Sequence, residues 1–203
     1  MVTFGITGGV GSGKSLVMDY LEKAYGARVL LMDNLGHELM KKGAVCYDSI
    51  LALFGSSVVA EDGEFNRKAI GKIVFSDKEM LEKLNAIVHP AVRRCVEQLV
   101  EEARQQGSDF FFMESALILE EKYDAMCDEL WYVYAEEAVR RERLKASRGY
   151  SDEKIDQMLK NQLSEDEFRS RSNFVINNSG DFEDSKAQID AKMKEFRNRQ
   201  QNN

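Results

Sequence analysis

The sequence is poor in the two residue types that constrain a chain most strongly, cysteine and proline. Its 203 residues include three cysteines and one proline. Cys46, Cys95 and Cys127 lie far apart and lack Cys-x-x-Cys spacing, which favours reduced thiols over a disulfide framework or a zinc site. Pro90 interrupts an amphipathic helical pattern and predicts a break or kink near His89.

Long apolar runs and an excess of positive charge are also absent. No apolar run approaches the roughly 18 residues that a membrane span needs. The net charge of −7 argues against a general nucleic-acid binder, which would usually show a basic face, but leaves room for a local basic pocket that holds a small phosphorylated substrate. The start of the chain lacks a charged segment followed by a long apolar run. We therefore expect a cytoplasmic protein, monomeric or a small homo-oligomer, with no nucleic-acid or membrane partner.

What the sequence does contain is a phosphate-binding motif near its start. Residues 8–15 read Gly-Gly-Val-Gly-Ser-Gly-Lys-Ser, and the glycines let backbone N–H groups approach phosphates closely. Lys14 can reach the β- and γ-phosphates, and the Ser15 hydroxyl can ligate Mg²⁺. A β-prone run precedes the motif and a helical segment follows, as this loop requires. The residues expected to contact a nucleoside triphosphate are Gly9, Val10, Gly11, Ser12, Gly13, Lys14, Ser15 and Leu16.

Short apolar runs predict four further strands. The second covers residues 26–32, is buried and ends at Asp33, and the third covers residues 109–113 and ends at Glu114. Residues 129–134 and 173–176 form the fourth and fifth. Continuous apolar strands separated by helices predict an α/β fold, a five-stranded parallel sheet flanked by helices. Ligands bind at the carboxyl ends of such strands, where Asp33 and Glu114 fall.

Two intervals are too long for simple crossovers between strands. The first predicts a helical substrate lobe at about residues 36–104, with apolar residues at three- or four-residue steps. The second predicts a charged helical lid at about residues 141–169. The remaining residues, 1–35, 105–140 and 170–203, would form the core of one domain.

Two carboxylates could carry chemistry. Asp33 could act as a general base for a hydroxyl or hold Mg²⁺-bound water, or it could merely cap a helix. Glu114 occupies the position of a Walker-B acid and could hold Mg²⁺ through water, or it could merely end its strand.

Basic residues supply further candidates. Arg143 and Arg148 could close over a triphosphate from the lid, and Arg148-Gly149 suggests a helix end there. For Arg140 and Arg141 we expect a solvated face paired with neighbouring glutamates. His89 could be a helix-end cap or a substrate contact.

The chain resembles the dephospho-CoA kinases over nearly its whole length. The opening, residues 4–15, is similar to that family's, and Asp33 matches the second acid of its Asp-x-Asp motif. Residues 62–75 and 84–90 resemble its CoA-binding helical lobe. Further matches are Arg143-Leu144, Arg148, Gln162 and the segment 176–180.

The chain also departs from the family pattern. Leu31 stands in place of the first acid of Asp-x-Asp, and Leu16 in place of a hydroxyl residue. Ala116 lies in a segment that replaces a typical Asp-Val-Pro-Leu-Leu-Phe-Glu, and Lys160 replaces an arginine. These departures affect fine positioning; the reaction class is unchanged.

The resemblance implies a kinase that transfers the γ-phosphate of ATP to the ribose 3′-hydroxyl of dephospho-CoA, with Mg²⁺ as cofactor. Lys14 would stabilise the transferring group and Asp33 would accept the proton. Arg143 and Arg148 would close from the lid, while Arg67 and His89 would hold dephospho-CoA. The alternatives are a kinase of the same fold for another nucleotide or small alcohol, and a non-catalytic nucleotide-binding switch. No [Asn/Thr]-Lys-x-Asp segment is present to support a guanine-specific switch.

Overall fold

The computed structural model describes residues 1–201, with side chains through residue 198. These residues form two compact units. The first consists of Met1–Leu30 and the chain from Gly107 onward, and the second is Leu31–Gln106. The predicted helical lobe, about residues 36–104, falls inside the second unit. Residues 202 and 203, counted in the predicted core, lie outside the described part.

A five-stranded sheet organises the first unit. Its order is β2-β3-β1-β4-β5, and β1 pairs in parallel with both β3 and β4, as β4 does with β5. This confirms the predicted five-stranded parallel sheet flanked by helices. The strands are β1 Val2–Thr7, β2 Arg28–Leu31, β3 Phe110–Glu114, β4 Glu129–Tyr134 and β5 Phe174–Asn177.

Aromatic side chains on the sheet form the main core. Phe4 stacks on Phe112, with ring centroids 4.4 Å apart, and Trp131 packs against the edge of both rings. All three side chains are fully buried, because central parallel strands are covered on both faces. The helices of this unit are α1 Lys14–Tyr25, α6 Glu137–Arg148, α7 Asp152–Lys160, α8 Glu165–Arg171 and α9 Phe182–Gln201.

The second unit is helical and has its own core. Ile50, Val58, Phe65 and Ile70 are buried there, and Tyr47 stacks on Phe65. Its helices are α2 Met32–Met40, α3 Tyr47–Phe54, α4 Arg67–Ser76 and α5 Lys78–Gln105.

The prediction of a buried second strand ending at Asp33 is wrong in two respects. β2 lies at the edge of the sheet, and its terminal residues Arg28 and Leu31 are exposed. An edge strand has a neighbour on one side only, so less of it is covered. Helix α2 begins at Met32, directly after the strand. Asp33 therefore lies in the first turn of a helix whose N-cap is Leu31, and it is not the cap.

Of the predicted break or kink near His89, the break is wrong, since α5 runs for 28 residues with Pro90 inside it, and the kink stays a prediction. The proline ring removes one backbone hydrogen bond. Burial of Ala91, Val92 and Val96 immediately beyond it offsets that loss, because tertiary packing supplies most of a helix's stability. His89 consequently lies in a helix interior, which excludes the helix-end cap.

The described residues include no helix long and apolar enough to cross a membrane. All three cysteines are free thiols, as the spacing predicts. Burial raises the pKa of the Cys127 thiol to about 12, which keeps it protonated and unreactive near neutral pH.

Candidate active site

The glycine-rich loop joins the end of β1 to the start of α1, as the motif requires. Gly13 is the N-cap of α1 with a φ of 92°, a left-handed conformation that favours glycine. A Cβ at this position would also collide with the Asn178 amide nitrogen. Backbone conformation and crowding therefore both require a glycine there.

The carbonyl groups of the loop are bonded to donors of the protein. The Lys14 ammonium donates to the Gly8 carbonyl at 2.9 Å, and the Ser12 amide donates to the Gly9 carbonyl at 3.2 Å. With its carbonyls held in this way, the loop can present other N–H groups to an anion. Hydrogen bonds within the protein thus hold the backbone of the loop.

The Ser12 carbonyl accepts two further bonds from distant parts of the chain. The side-chain amide of Asn178 donates to it at 2.7 Å, and Arg143 Nη1 donates at 3.4 Å. Asn178 is fully buried, directly after β5, and its own oxygen accepts from the Ser185 hydroxyl at 3.0 Å. The loop is therefore tied to the end of β5 and to α6. The sequence includes Asn178 in the segment 176–180 that resembles the family, but predicts no role for this residue.

Lys14 also faces a carboxylate. Its Nζ lies 3.5 Å from Glu114 Oε1, and only about a tenth of each side chain is exposed. Glu114 is the last residue of β3, so parallel pairing with β1 places it beside the loop. The two predicted residues meet as expected at the carboxyl end of the sheet.

The loop contains donor groups that fit a phosphate and a hard cation. Within the described chain, the buried hydroxyls of Thr7 and Ser12 lack a hydrogen-bond partner, so each could bond to an added oxygen. The Ser15 side chain is exposed in the first turn of α1. Hydroxyl and carboxylate oxygens, here from Ser15 and Glu114, are ligand types that Mg²⁺ accepts together with substrate phosphates.

The two predicted lid arginines differ in their contacts. Arg143 reaches the loop, as noted above, whereas the described contact of Arg148 is with the Tyr150 ring, 5.9 Å from its centroid. Helix α6 continues through both residues and ends at Arg148, where Gly149 adopts a left-handed conformation. The helix therefore ends at Arg148-Gly149 and not between the two arginines.

The solvated face expected for Arg140 and Arg141 holds for Arg141 only. Arg141 forms ion pairs with Glu137 at 2.8 Å and Asp156 at 2.5 Å. Arg140 instead lies against Gly9 of the loop, and its Nη1 donates to Gln162 Oε1 at 3.5 Å. The sequence spacing indicates this contact, because Arg140 is three residues from Arg143 and so lies on the same face of the helix.

A polar cavity of about 480 Å³ lies beside this contact. The end of β4 and the lid helices line it, with Arg140 and Gln162 in its wall. Tyr132 and Phe168, which also line it, stack with ring centroids 4.9 Å apart. The lid therefore lines an open cavity next to the phosphate loop.

The helical unit contains a second candidate group around Arg67. This residue begins α4, and its Nη2 lies 2.5 Å from His37 Nε2 on α2. Burial and the Arg67 charge lower the pKa of His37, which favours a neutral ring that accepts the bond. His37 and Arg67 line a cavity of about 400 Å³ together with Met40 and Phe65.

His37 was not expected at a site, although its spacing gave a signal. Asp33 and His37 are four residues apart on α2, so they lie on one face of that helix. Of the other residues predicted to contact the substrate that accepts the phosphoryl group, His89 is half-buried on α5. Asp33, Arg67 and His89 all belong to the helical unit, and the predicted triphosphate contacts all belong to the sheet unit.

Sequence comparisons identify relatives across nearly the whole chain. The family model described as dephospho-CoA kinase matches residues 2–184. A dephospho-CoA kinase from Symbiobacterium thermophilum is 36% identical over 191 residues, 94% of this chain and 80% of the relative. One from Dehalococcoides mccartyi is 34% identical over 195 residues, 96% of this chain and 98% of the relative.

Solved structures agree with the sequence comparisons. The Thermus thermophilus protein TT1252 is 33% identical and superposes with a TM-score of 0.80, over 96% of this chain and 97% of that one. A dephospho-CoA kinase from Campylobacter jejuni, 21% identical, shares the fold with a TM-score of 0.71, over 95% of this chain and 96% of that one. With the family model matching most of its length and relatives above 30% identity, the chain belongs to the dephospho-CoA kinase family.

Proposed function

We propose that this protein transfers the γ-phosphoryl group of ATP to the ribose 3′-hydroxyl of dephospho-CoA, the last step of coenzyme A synthesis. The observation that carries the proposal is the family match over residues 2–184. The phosphate loop, with Lys14 and Glu114 beside it, supports the ATP half of the reaction.

In this proposal the loop from Gly9 to Leu16 binds the triphosphate. Lys14 exchanges its bonds to Gly8 and Glu114 for bonds to phosphate oxygens, where a cation stabilises the charge that develops during transfer. Leu16 contributes through its backbone only, since its side chain has no hydroxyl. Ser15 and Glu114, the latter directly or through water, would hold Mg²⁺, which would neutralise charge on the phosphates.

Asp33 is the proposed general base. A carboxylate in the first turn of α2 can accept the proton of the 3′-hydroxyl as the oxygen attacks phosphorus. The side chain of Asp33 is exposed. Leu31 offers no second carboxylate at the end of β2, so Asp33 alone would accept the proton.

Arg67 and His89 are the proposed contacts for dephospho-CoA. The Arg67 guanidinium can bond two phosphate oxygens at once, which suits the diphosphate of this substrate. Its position at the N-terminus of α4 adds the partial positive charge of the helix.

Arg143 and Arg148 are the proposed lid residues. Arg143 already bonds the Ser12 carbonyl, so its side chain lies beside the phosphate loop and would exchange this partner for a phosphate. Exclusion of water by the closed lid would favour transfer over hydrolysis of ATP. The protein is proposed to work in the cytoplasm, as a monomer or small homo-oligomer.

A coupled assay with purified protein tests the proposal. ATP consumption should depend on dephospho-CoA far more than on AMP, nucleosides or shikimate at equal concentration. A better acceptor among these would replace dephospho-CoA in the proposal. Nucleotide binding without turnover for any acceptor would favour a switch.

A further inference from the structure

Gly9 has no conformational need to be a glycine. Its φ lies outside the positive range that Gly8, Gly11 and Gly13 occupy, so its backbone would accept a side chain. The space is nevertheless filled. A Cβ on Gly9 would collide with the Arg140 guanidinium and would lie 3.0 Å from Gln162 Oε1.

These two side chains connect the loop to the lid. Gln162 Oε1 accepts from the Val10 amide at 3.3 Å and from Arg140 Nη1 at 3.5 Å. Gln162 follows the end of α7, and Arg140 lies on α6. The α6 backbone also packs on the loop, since a Cβ on Gly11 would lie 2.9 Å from the Arg140 carbonyl oxygen. Two separate parts of the lid therefore meet at Gly9 and Val10.

The charge of Arg140 is not balanced by a carboxylate. Among the side chains of residues 1–198 it forms no ion pair within 4.0 Å, and its Nε is buried without a hydrogen-bond partner. Its neighbour Arg141 pairs with three carboxylates, those of Glu137, Asp152 and Asp156. An unbalanced, partly buried cation is costly, and a bound triphosphate would supply the missing negative charge.

We propose that Arg140 is a positioning residue for the phosphate loop, acting with Gln162 as a clasp that fixes Gly9 and Val10 to the lid. The clasp couples triphosphate affinity to the placement of α6 and α7. This role rests on the proposed use of ATP by the loop, and it adds a residue that the family resemblance did not assign. Gly9 is a glycine because the clasp occupies the space of its side chain.

A double-mutant cycle tests the clasp. Arg140→Met removes the charge and the bond to Gln162, and Gly9→Ala displaces the guanidinium without removing it. We expect each variant to weaken ATP binding and raise the KM for ATP about three- to tenfold, the worth of one lost hydrogen-bond contact. The kcat at saturating ATP should change less. Because both changes undo the same contact, the double variant should be no weaker than the weaker single variant.

Controls separate the clasp from folding and from the reaction. Arg141→Met removes a neighbouring charge that pairs within the lid and should leave ATP affinity within about twofold, as expected for exposed ion pairs. Thermal unfolding identifies variants that fail to fold. If Gly9→Ala does so, Gln162→Ala takes its place in the cycle.

Titration calorimetry with ATP and no acceptor provides the readout. Unchanged affinity in Arg140→Met, or losses that multiply in the double variant, would overturn the clasp. Failure of the wild type to phosphorylate dephospho-CoA would refute the proposed function instead, and the affinities would still report on the clasp.

Discussion

Replacing Asn178 by alanine should destabilise the protein and weaken ATP binding together. The side chain is fully buried and makes two hydrogen bonds, to the Ser12 carbonyl at 2.7 Å and from the Ser185 hydroxyl at 3.0 Å. Each is worth about 1 kcal/mol net, giving a loss of about 2 kcal/mol. The loss stays small because both partners of Asn178 keep another hydrogen bond. The Ser12 carbonyl still accepts from Arg143, and the Ser185 hydroxyl still donates to the Asn177 carbonyl.

For a chain of this length, such a loss corresponds to a fall in Tm of about 4–8 °C. Calorimetry with and without ATP measures both effects. Added ATP should raise the Tm of the variant by less than it raises the Tm of the wild type. Asn178→Asp is the matched control. It keeps the acceptor for Ser185 but places a buried carboxylate against the Ser12 carbonyl, and should cost more than alanine. An alanine variant with the Tm and ATP affinity of the wild type would refute this account of the loop.

Three further predictions concern single titratable residues. Asp33→Asn should leave ATP affinity nearly unchanged and lower kcat about 10²-fold or more, the usual scale for a lost general base; steady-state kinetics with a calorimetric Kd test this, and near-wild-type turnover would remove Asp33 from the mechanism. The pKa of His37 is lowered in the folded protein, so as the pH falls the unfolded chain binds a proton before the folded protein does. The free energy of unfolding should therefore fall as the pH drops below about 6.5. Urea titrations at several pH values should show a smaller fall in His37→Asn than in the wild type, and equal falls would contradict the prediction. Because desolvation raises the pKa of the Cys127 thiol to about 12, iodoacetamide at pH 8 should label this thiol only after unfolding. Rapid labelling of Cys127 in the native protein, detected by mass spectrometry, would contradict the raised pKa.

The sequence predicted what depends on local patterns. The run Glu129–Tyr134 was expected as a strand with its exact bounds, because a short apolar run between polar segments has few other uses. The phosphate loop followed from its glycines and lysine. Burial of Phe112 and Trp131 followed from their places in such runs.

The structural features that the sequence did not predict depend on contacts between residues that are distant in the chain. The exposure of β2 results from its place at the sheet edge, which no local pattern reports. The continuity of α5 through Pro90 depends on packing that outweighs propensity. Arg140 was grouped with nearby glutamates, yet its contacts are with Gly9 and with Gln162, 22 residues further along.

The bond between Asn178 and the Ser12 carbonyl spans 166 positions of the chain. During synthesis the N-terminal residues emerge first, so the glycine-rich loop leaves the ribosome long before the residue that secures it. Contacts of such separation form late in folding, since the chain between them must be ordered first. The loop can therefore gain its bond from Asn178 only when the last strand is in place.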